Sequence, residues 1–134
     1  MTSPTTRTRL RSAADVFADQ LVDPAVRARW ERLAPARAVA LRLVQYRADN
    51  GLTQTALGRL LGMPQPAVAR LESGEHVPSL ETLVRLCDAL DIEFLIDITP
   101  KHARTSWVTR QAETAKVVEQ VTTGNGGQLL VAVS

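Results

Sequence analysis

Apolar residues recur at helical spacing through much of the chain as far as residue 90, and then begin to alternate with acidic ones. The clearest run is 52–78, LTQTALGRLLGMPQPAVARLESGEHVP. Leu57, Leu60 and Leu61 share one face of a first short helix, and Val68 and Leu71 share one face of a second, at the spacings of an amphipathic helix. Gly62-Met63-Pro64 divides the two. Gly62 is placed to take the left-handed conformation that ends a helix, and Pro64 cannot continue one. Short helices joined by so tight a turn cannot lie antiparallel, so they cross steeply, which is the geometry of a helix-turn-helix. A generic helical hairpin is the alternative, and Gly58 argues against it. Glycine inside a helix costs about 1 kcal/mol relative to alanine, so this position needs a minimal side chain, as a closely approaching second helix would require.

The flanking pattern predicts further helices. Ser12 can cap one running to Leu21, with Ala13, Val16, Phe17 and Leu21 on its apolar side. Asp23-Pro24 is a second start, Asp23 as N-cap and Pro24 at the first helical position, followed by Val26, Trp30 and Leu33. A third begins at Pro35, packs through Val39, Leu43, Val44 and Tyr46, and stops at Gly51. After the motif, Ser79 can cap a helix to about Leu90 that turns Leu80, Leu83, Leu86, Cys87 and Leu90 inward, and Asp91 ends it. Ile92–Ile98 alternates apolar and acidic residues in part and reads as a strand closed by Pro100. Beyond it two readings stay open. Gln111–Val121 can form a helix with Ala112, Ala115 and Val118 on one face, or Val117–Val121 and Leu129–Val133 can pair as a hairpin around Gly124-Asn125-Gly126-Gly127.

The ordered set Thr53-Gln54, Gly58, Leu61-Gly62, Gln65, Val68, Arg70, Leu71, Glu72 and Gly74, followed by Pro78-Ser79-Leu80-Glu81-Thr82-Leu83, resembles the DNA-binding core of the Cro/CI-type, or XRE, helix-turn-helix family. The resemblance covers about half of the chain. It implies a mainly α fold: a five-helix-type lambda-repressor-like core over 35–91, an N-terminal tail and helical extension over 1–34, and a small β element within 92–134 that can serve dimerisation. Two positions depart from the family. Pro64 stands where a Ser or Thr usually caps the second helix, so that side-chain hydrogen bond is lost. Pro66 occupies an early position often held by a polar residue. A narrower resemblance lies upstream: Asp23-Pro24, Trp30, Leu33 and Pro35 are similar to HigA-type antitoxins, which repress their own operon and neutralise an RNA-cleaving toxin.

Composition narrows the classes. The 134 residues suit one domain with tails, and no apolar run reaches the length of a membrane span. The basic start MTSPTTRTRLRS lacks the hydrophobic stretch of a secretory signal, and a single cysteine fits a reducing compartment, so a cytoplasmic protein is expected. Cys87 reads as a packed core thiol. The net charge of +2 hides an asymmetry. Arg7 to Arg70 holds eleven arginines against five acids, whereas Leu71 to Thr99 holds seven acids against Arg85 alone. The basic block suits a polyanion and the acidic block a face turned away from it. Residues 1–11 are either a frayed terminus or a basic arm on phosphates. Arg37, Arg42 and Arg47 either face phosphates or are simply solvated, and Trp30 reads as a core residue before a stacking platform. His76 and His102 have no Cys or carboxylate at ligand spacing, the glycine cluster lacks the lysine of a phosphate loop, and no carboxylate pair belongs to a catalytic constellation. No metal, cofactor or enzymatic activity is expected.

The resemblance also implies where DNA would be touched. The helix from Gln65 would enter the major groove, with Gln65 pairing bidentately to adenine and Arg70 reaching guanine or a phosphate. Ala69 would offer a small apolar surface to a thymine methyl. Gln54 and Ser73 would hold phosphates, and Glu72, repelled by DNA, would pair with an arginine of the core. One such domain reads few bases, so a homodimer on double-stranded operator DNA with an inverted repeat is expected, its half-sites about 10 bp or a multiple apart. Two roles fit: an antitoxin with a cognate toxin partner, or a free-standing regulator.

Overall fold

The computed structural model describes residues 21–100, 113–122 and 126–134. The expected helix over 12–21 and the basic arm before it lie outside the described residues, except for Leu21. Among the described residues there are five helices and a three-stranded antiparallel sheet. The helices are α1 (Pro24–Arg32), α2 (Ala34–Asn50), α3 (Gln54–Leu61), α4 (Gln65–Glu72) and α5 (Leu80–Leu90), and the strands are β1 (Phe94–Thr99), β2 (Val117–Thr122) and β3 (Gln128–Val133).

The helix ends obey local chemistry. Asp23 accepts a hydrogen bond from the Ala25 N–H at 2.8 Å and starts α1. Pro35 lies in the first turn of α2, which ends at Gly51 in the left-handed region, φ 61°. Ser79 accepts from the Thr82 N–H at 3.1 Å and opens α5, and Asp91, φ 54°, closes it. Each supplies or releases a backbone group that the helix leaves unpaired.

Helix α2 is the spine. One side sends Val39 and Leu43 into a core with Leu57, Leu61, Val68, Leu83, Leu86, Leu90 and Ile92. The other presents Ala38 to Val117, Val131 and Val133 of the sheet. A helix covered on two sides carries no single apolar stripe, and its small alanines let the sheet approach. That arrangement leaves Val44 exposed, against the sequence expectation. Leu60 and Leu80 are also exposed: Leu57 and Leu61 already fill the inner face of α3, and α5 meets the core only from Leu83 onward. Val26 lies on the outer side of α1, a helix with no buried residue. Trp30 is half-buried, and so is Cys87 beside Leu83 and Leu86.

Of the two readings for the last segment, the hairpin is observed. β2 and β3 pair antiparallel from Val117 opposite Val133 to Thr122 opposite Gln128. β-Branched Val117, Val118, Val121 and Thr122 favour the pleated surface over a helix. β1 pairs with the other edge of β3, Ile96 opposite Val131, giving the order β1-β3-β2. The expected strand therefore forms, starting two residues later than Ile92. None of the described helices is long and apolar enough to cross a membrane.

Candidate nucleic-acid interface

Helices α3 and α4 meet through a turn whose geometry depends on two glycines. Gly62, φ 64°, takes the left-handed conformation that ends α3, and the Met63 N–H returns to the Gly58 carbonyl at 2.8 Å. A Cβ on Gly58 would stand 2.5 Å from the Met63 carbonyl oxygen and 3.4 Å from Val68 Cγ2. The backbone of the turn, more than the second helix, is what excludes a side chain there. Thr53 caps α3 by accepting from the Ala56 N–H at 3.1 Å. Pro64 occupies the equivalent place before α4 with no side-chain cap.

At about 100° per residue, Gln65, Pro66, Ala69, Arg70 and Ser73 fall within an arc of about 140° on α4. Val68 on the other side is fully buried, and Leu71 packs against the core. The arc faces solvent: Gln65, Pro66, Arg70 and Ser73 are exposed, and Ala69 is half-buried. Ser73 donates to the Arg70 carbonyl at 2.7 Å and accepts from the Glu75 N–H at 3.3 Å. A phosphate taking its proton would have to replace that carbonyl.

A polar chain runs from the interior to this arc. Arg47 grips Glu72 with two bonds, Nε to Oε1 at 2.5 Å and Nη2 to Oε2 at 2.9 Å, and gives Nη1 to the Leu52 carbonyl at 3.1 Å. Hydrogen bonding to Glu72 raises the Arg47 pKa above its ordinary value, helped by the carboxylate charge and opposed by desolvation, so the guanidinium stays cationic. Gln54 Nε2 donates to Glu72 Oε2 at 2.8 Å, and Gln65 Nε2 donates to Gln54 Oε1 at 2.8 Å. The order follows from donor inventory. An ionised carboxylate only accepts, so Gln54 must turn its amide nitrogen inward and its oxygen toward Gln65. The expected pairing of Glu72 with a core arginine is thus observed. The link between Gln54 and Gln65 was not anticipated, although both stand at helix starts on either side of the turn.

The arginines of α2 are otherwise placed than expected. Arg37 lies 3.5 Å over the Trp30 ring, reaches the Trp30 carbonyl, and meets Glu119 of β2 at 3.4 Å. Arg42 is buried and donates from Nε to the Ser134 carbonyl at 3.0 Å. Neither they nor Arg47 are solvated cations or open to phosphates, because β2, β3 and α4 pack on the sides from which they project. In the described part of the basic block, Arg29, Arg32, Arg59 and Arg70 remain exposed without an ion pair, and Arg27 pairs with Glu31 at 3.2 Å. No group of three or more His, Cys, Asp or Glu side chains converges among the described residues.

Residues 43–96, from within α2 to within β1, match the helix-turn-helix family. The chain is 41% identical over 49 residues to an uncharacterized HTH-type transcriptional regulator of Haemophilus influenzae, a match covering 37% of this chain and 50% of that protein. It is 33% identical over 52 residues to the uncharacterized HTH-type transcriptional regulator YgzD of Bacillus subtilis, covering 39% of this chain and 79% of the relative. The match therefore spans half the length of the first of these relatives. No solved structure matches the chain.

Proposed function

Because the chain belongs to the helix-turn-helix family of transcriptional regulators, we propose that it is a sequence-specific repressor of the XRE type with a lambda-repressor-like core, reading an inverted-repeat operator as a homodimer. The observation that carries this reading is the chain Arg47–Glu72–Gln54–Gln65. With one Nε2 hydrogen given to Gln54, Gln65 keeps an amide oxygen and a second N–H, the acceptor and donor that adenine N6 and N7 require. Gln54 keeps one N–H for a phosphate at the start of α3, where the helix N-terminus also favours an anion. Ala69 lies on the same arc for a thymine methyl, Arg70 reaches the next base or phosphate, and Ser73 borders the backbone. An anisotropy titration on the DNA upstream of the protein's own gene tests the assignment. Gln65→Ala and Arg70→Ala should each cost about 1–3 kcal/mol of affinity if they read bases. Unchanged affinity and selectivity in both variants would remove the readout.

The finer reading is that the repressor is the antitoxin of a type II toxin–antitoxin pair. It rests on the HigA-like segment from Asp23 to Pro35 and on what α1 does there. This helix buries none of its residues, and Val26 stays exposed on it. A short amphipathic helix unused by the protein's own core suits a groove on a partner. Co-expression decides: an adjacent gene product should be toxic alone, rescued by this chain, and purify with it. If none is, the chain is a free-standing regulator.

A further inference from the structure

One residue of the exposed arc has no part in the readout above: Pro66, in the first turn of α4. With Gln65 at zero, about 100° per residue puts Ala69 near 40°, Pro66 near 100° and Arg70 near 140°. The two polar readers thus stand at the ends of the arc, and Ala69 and Pro66 fill its middle. Ser73, near 80°, lies about 12 Å along the axis from Gln65, and its hydroxyl is spent on the Arg70 carbonyl and the Glu75 N–H. The middle of the arc therefore offers DNA neither a side-chain donor nor a side-chain acceptor, and a proline has no backbone N–H to add.

We propose that Pro66 and Ala69 together read the C5-methyl group of a major-groove pyrimidine, which makes Pro66 a specificity-determining residue of the interface. The proposal rests on the DNA-binding reading above and narrows the half-site which that reading leaves open. Base edges in the major groove present donors and acceptors, and the thymine methyl is the one apolar group among them. An apolar surface pressed on a donor or acceptor would strip its water without replacing the bond, which costs binding. Against a methyl it only removes apolar area from water. The spacing agrees: Pro66 and Ala69 lie about 4.5 Å apart along α4, close to the roughly 3.4 Å of one base-pair step, so they meet the same pair or neighbouring ones. The surface is also rigid. Pro64 and Pro66 fix φ on either side of Gln65, and Val68 behind them is fully buried, so little freedom is lost on contact. Without hydrogen-bonding groups, this surface does not distinguish thymine O4 from the cytosine N4 amine beside the methyl. At this position thymine and 5-methylcytosine should therefore be equivalent, and uracil and cytosine should both be disfavoured.

Anisotropy titrations of the full chain on its operator, mapped by footprinting in the DNA upstream of its gene, test the assignment. Uracil pairs as thymine does and lacks only the methyl, so it replaces the thymines of a half-site one at a time. At the position that Pro66 reads, binding should weaken about fourfold, and about fifteenfold with both half-sites changed, as expected for one methyl lost from each contact. At the same position, 5-methylcytosine should bind better than cytosine by the same factor. In Pro66→Ala and Pro66→Ser proteins the uracil penalty in one half-site should shrink to about twofold or less, the coupling that a mutant cycle isolates. A proline that only sets the first turn of α4 would change affinity for all these DNAs alike and leave the penalty as in wild type. No penalty at any thymine, or an equal one in both variants, would overturn the methyl readout and leave DNA binding standing. A wild type that retains none of the upstream DNA would overturn the DNA-binding reading, and the readout with it.

Discussion

Arg42 and Arg47 stand on the same helix and are held in opposite ways. On the helix-turn-helix flank, Arg47 has a carboxylate and a carbonyl, and all three of its nitrogens are engaged. On the sheet flank, Arg42 is 5% exposed and has one carbonyl, that of Ser134, with the Tyr46 ring 5.9 Å away and Nη1 buried without a partner. One cation is held by three hydrogen bonds, two of them to a carboxylate, and the other by one. The contrast separates two uses of α2. Toward α4 it anchors a closed polar network whose far end, Gln65, is on the proposed DNA face. Toward the sheet it supplies a platform of small residues, with polar contacts that are fewer and partly unsatisfied.

Breaking the closed network should give the largest effect. Arg47→Met leaves the Glu72 side chain, only 6% exposed, as an anion without its cation, and should lower the urea midpoint more than any other variant named here. The raised Arg47 pKa adds stability that is present below the group's ordinary pKa and lost only above it, so wild type and variant should differ by a constant amount between pH 6 and about 9. Glu72→Gln keeps the shape and an acceptor for Gln54 but removes the charge, and should cost less, about 1–2 kcal/mol. Arg37 is intermediate between the two flanks, with a stacked indole, a carbonyl and a half-exposed carboxylate, but an unpartnered Nε. Arg37→Met should cost about 1 kcal/mol in the same assay, mostly the lost stacking. A loss for Arg37→Met equal to that for Arg47→Met would erase the distinction between the flanks.

The division also marks what could be read from the residues in order. Caps and stops are local chemistry, so Asp23, Ser79, Gly51, Gly62 and Asp91 announced their helices. Gln65, Ala69 and Arg70 were named from the family resemblance, and helical spacing puts them on one arc. Three kinds of feature did not. Val44, Leu60 and Leu80 are apolar at helical spacing yet exposed, because which side of a helix is covered depends on partners distant in sequence. The inward arginines of α2 depend on β2 and β3, about eighty to ninety residues on. The glutamine link depends on how steeply α3 and α4 cross, which a pattern specifies only as a class. Alanine carried the missing signal for α2: Ala34, Ala36, Ala38 and Ala40 mark a helix approached from more than one side, but they add little to an apolar moment.

The smallest effect, and the sharpest use of the comparison, is expected at Arg42. Replacing it with methionine removes one charge-assisted hydrogen bond to the Ser134 oxygen, worth about 1.5–3 kcal/mol. It also removes a buried guanidinium that makes no ion pair with an Asp or Glu among the described residues and has one nitrogen with no partner. The desolvation cost of such a group is large, and exchange of buried charge for an apolar side chain of similar length is often neutral or stabilising. Methionine has the flexibility to fill the same channel between α2 and the end of β3. The two terms oppose each other, so Arg42→Met should lie within about 1 kcal/mol of wild type, on either side, with promoter affinity unchanged. Arg47→Met in the same assay should lie well outside that range and lose affinity as well, because it frees Glu72 and with it Gln54. A large loss at Arg42 would mean that its contact with Ser134 outweighs the desolvation of its cation, and the sheet flank would then be as tightly tied to α2 as the helix-turn-helix is.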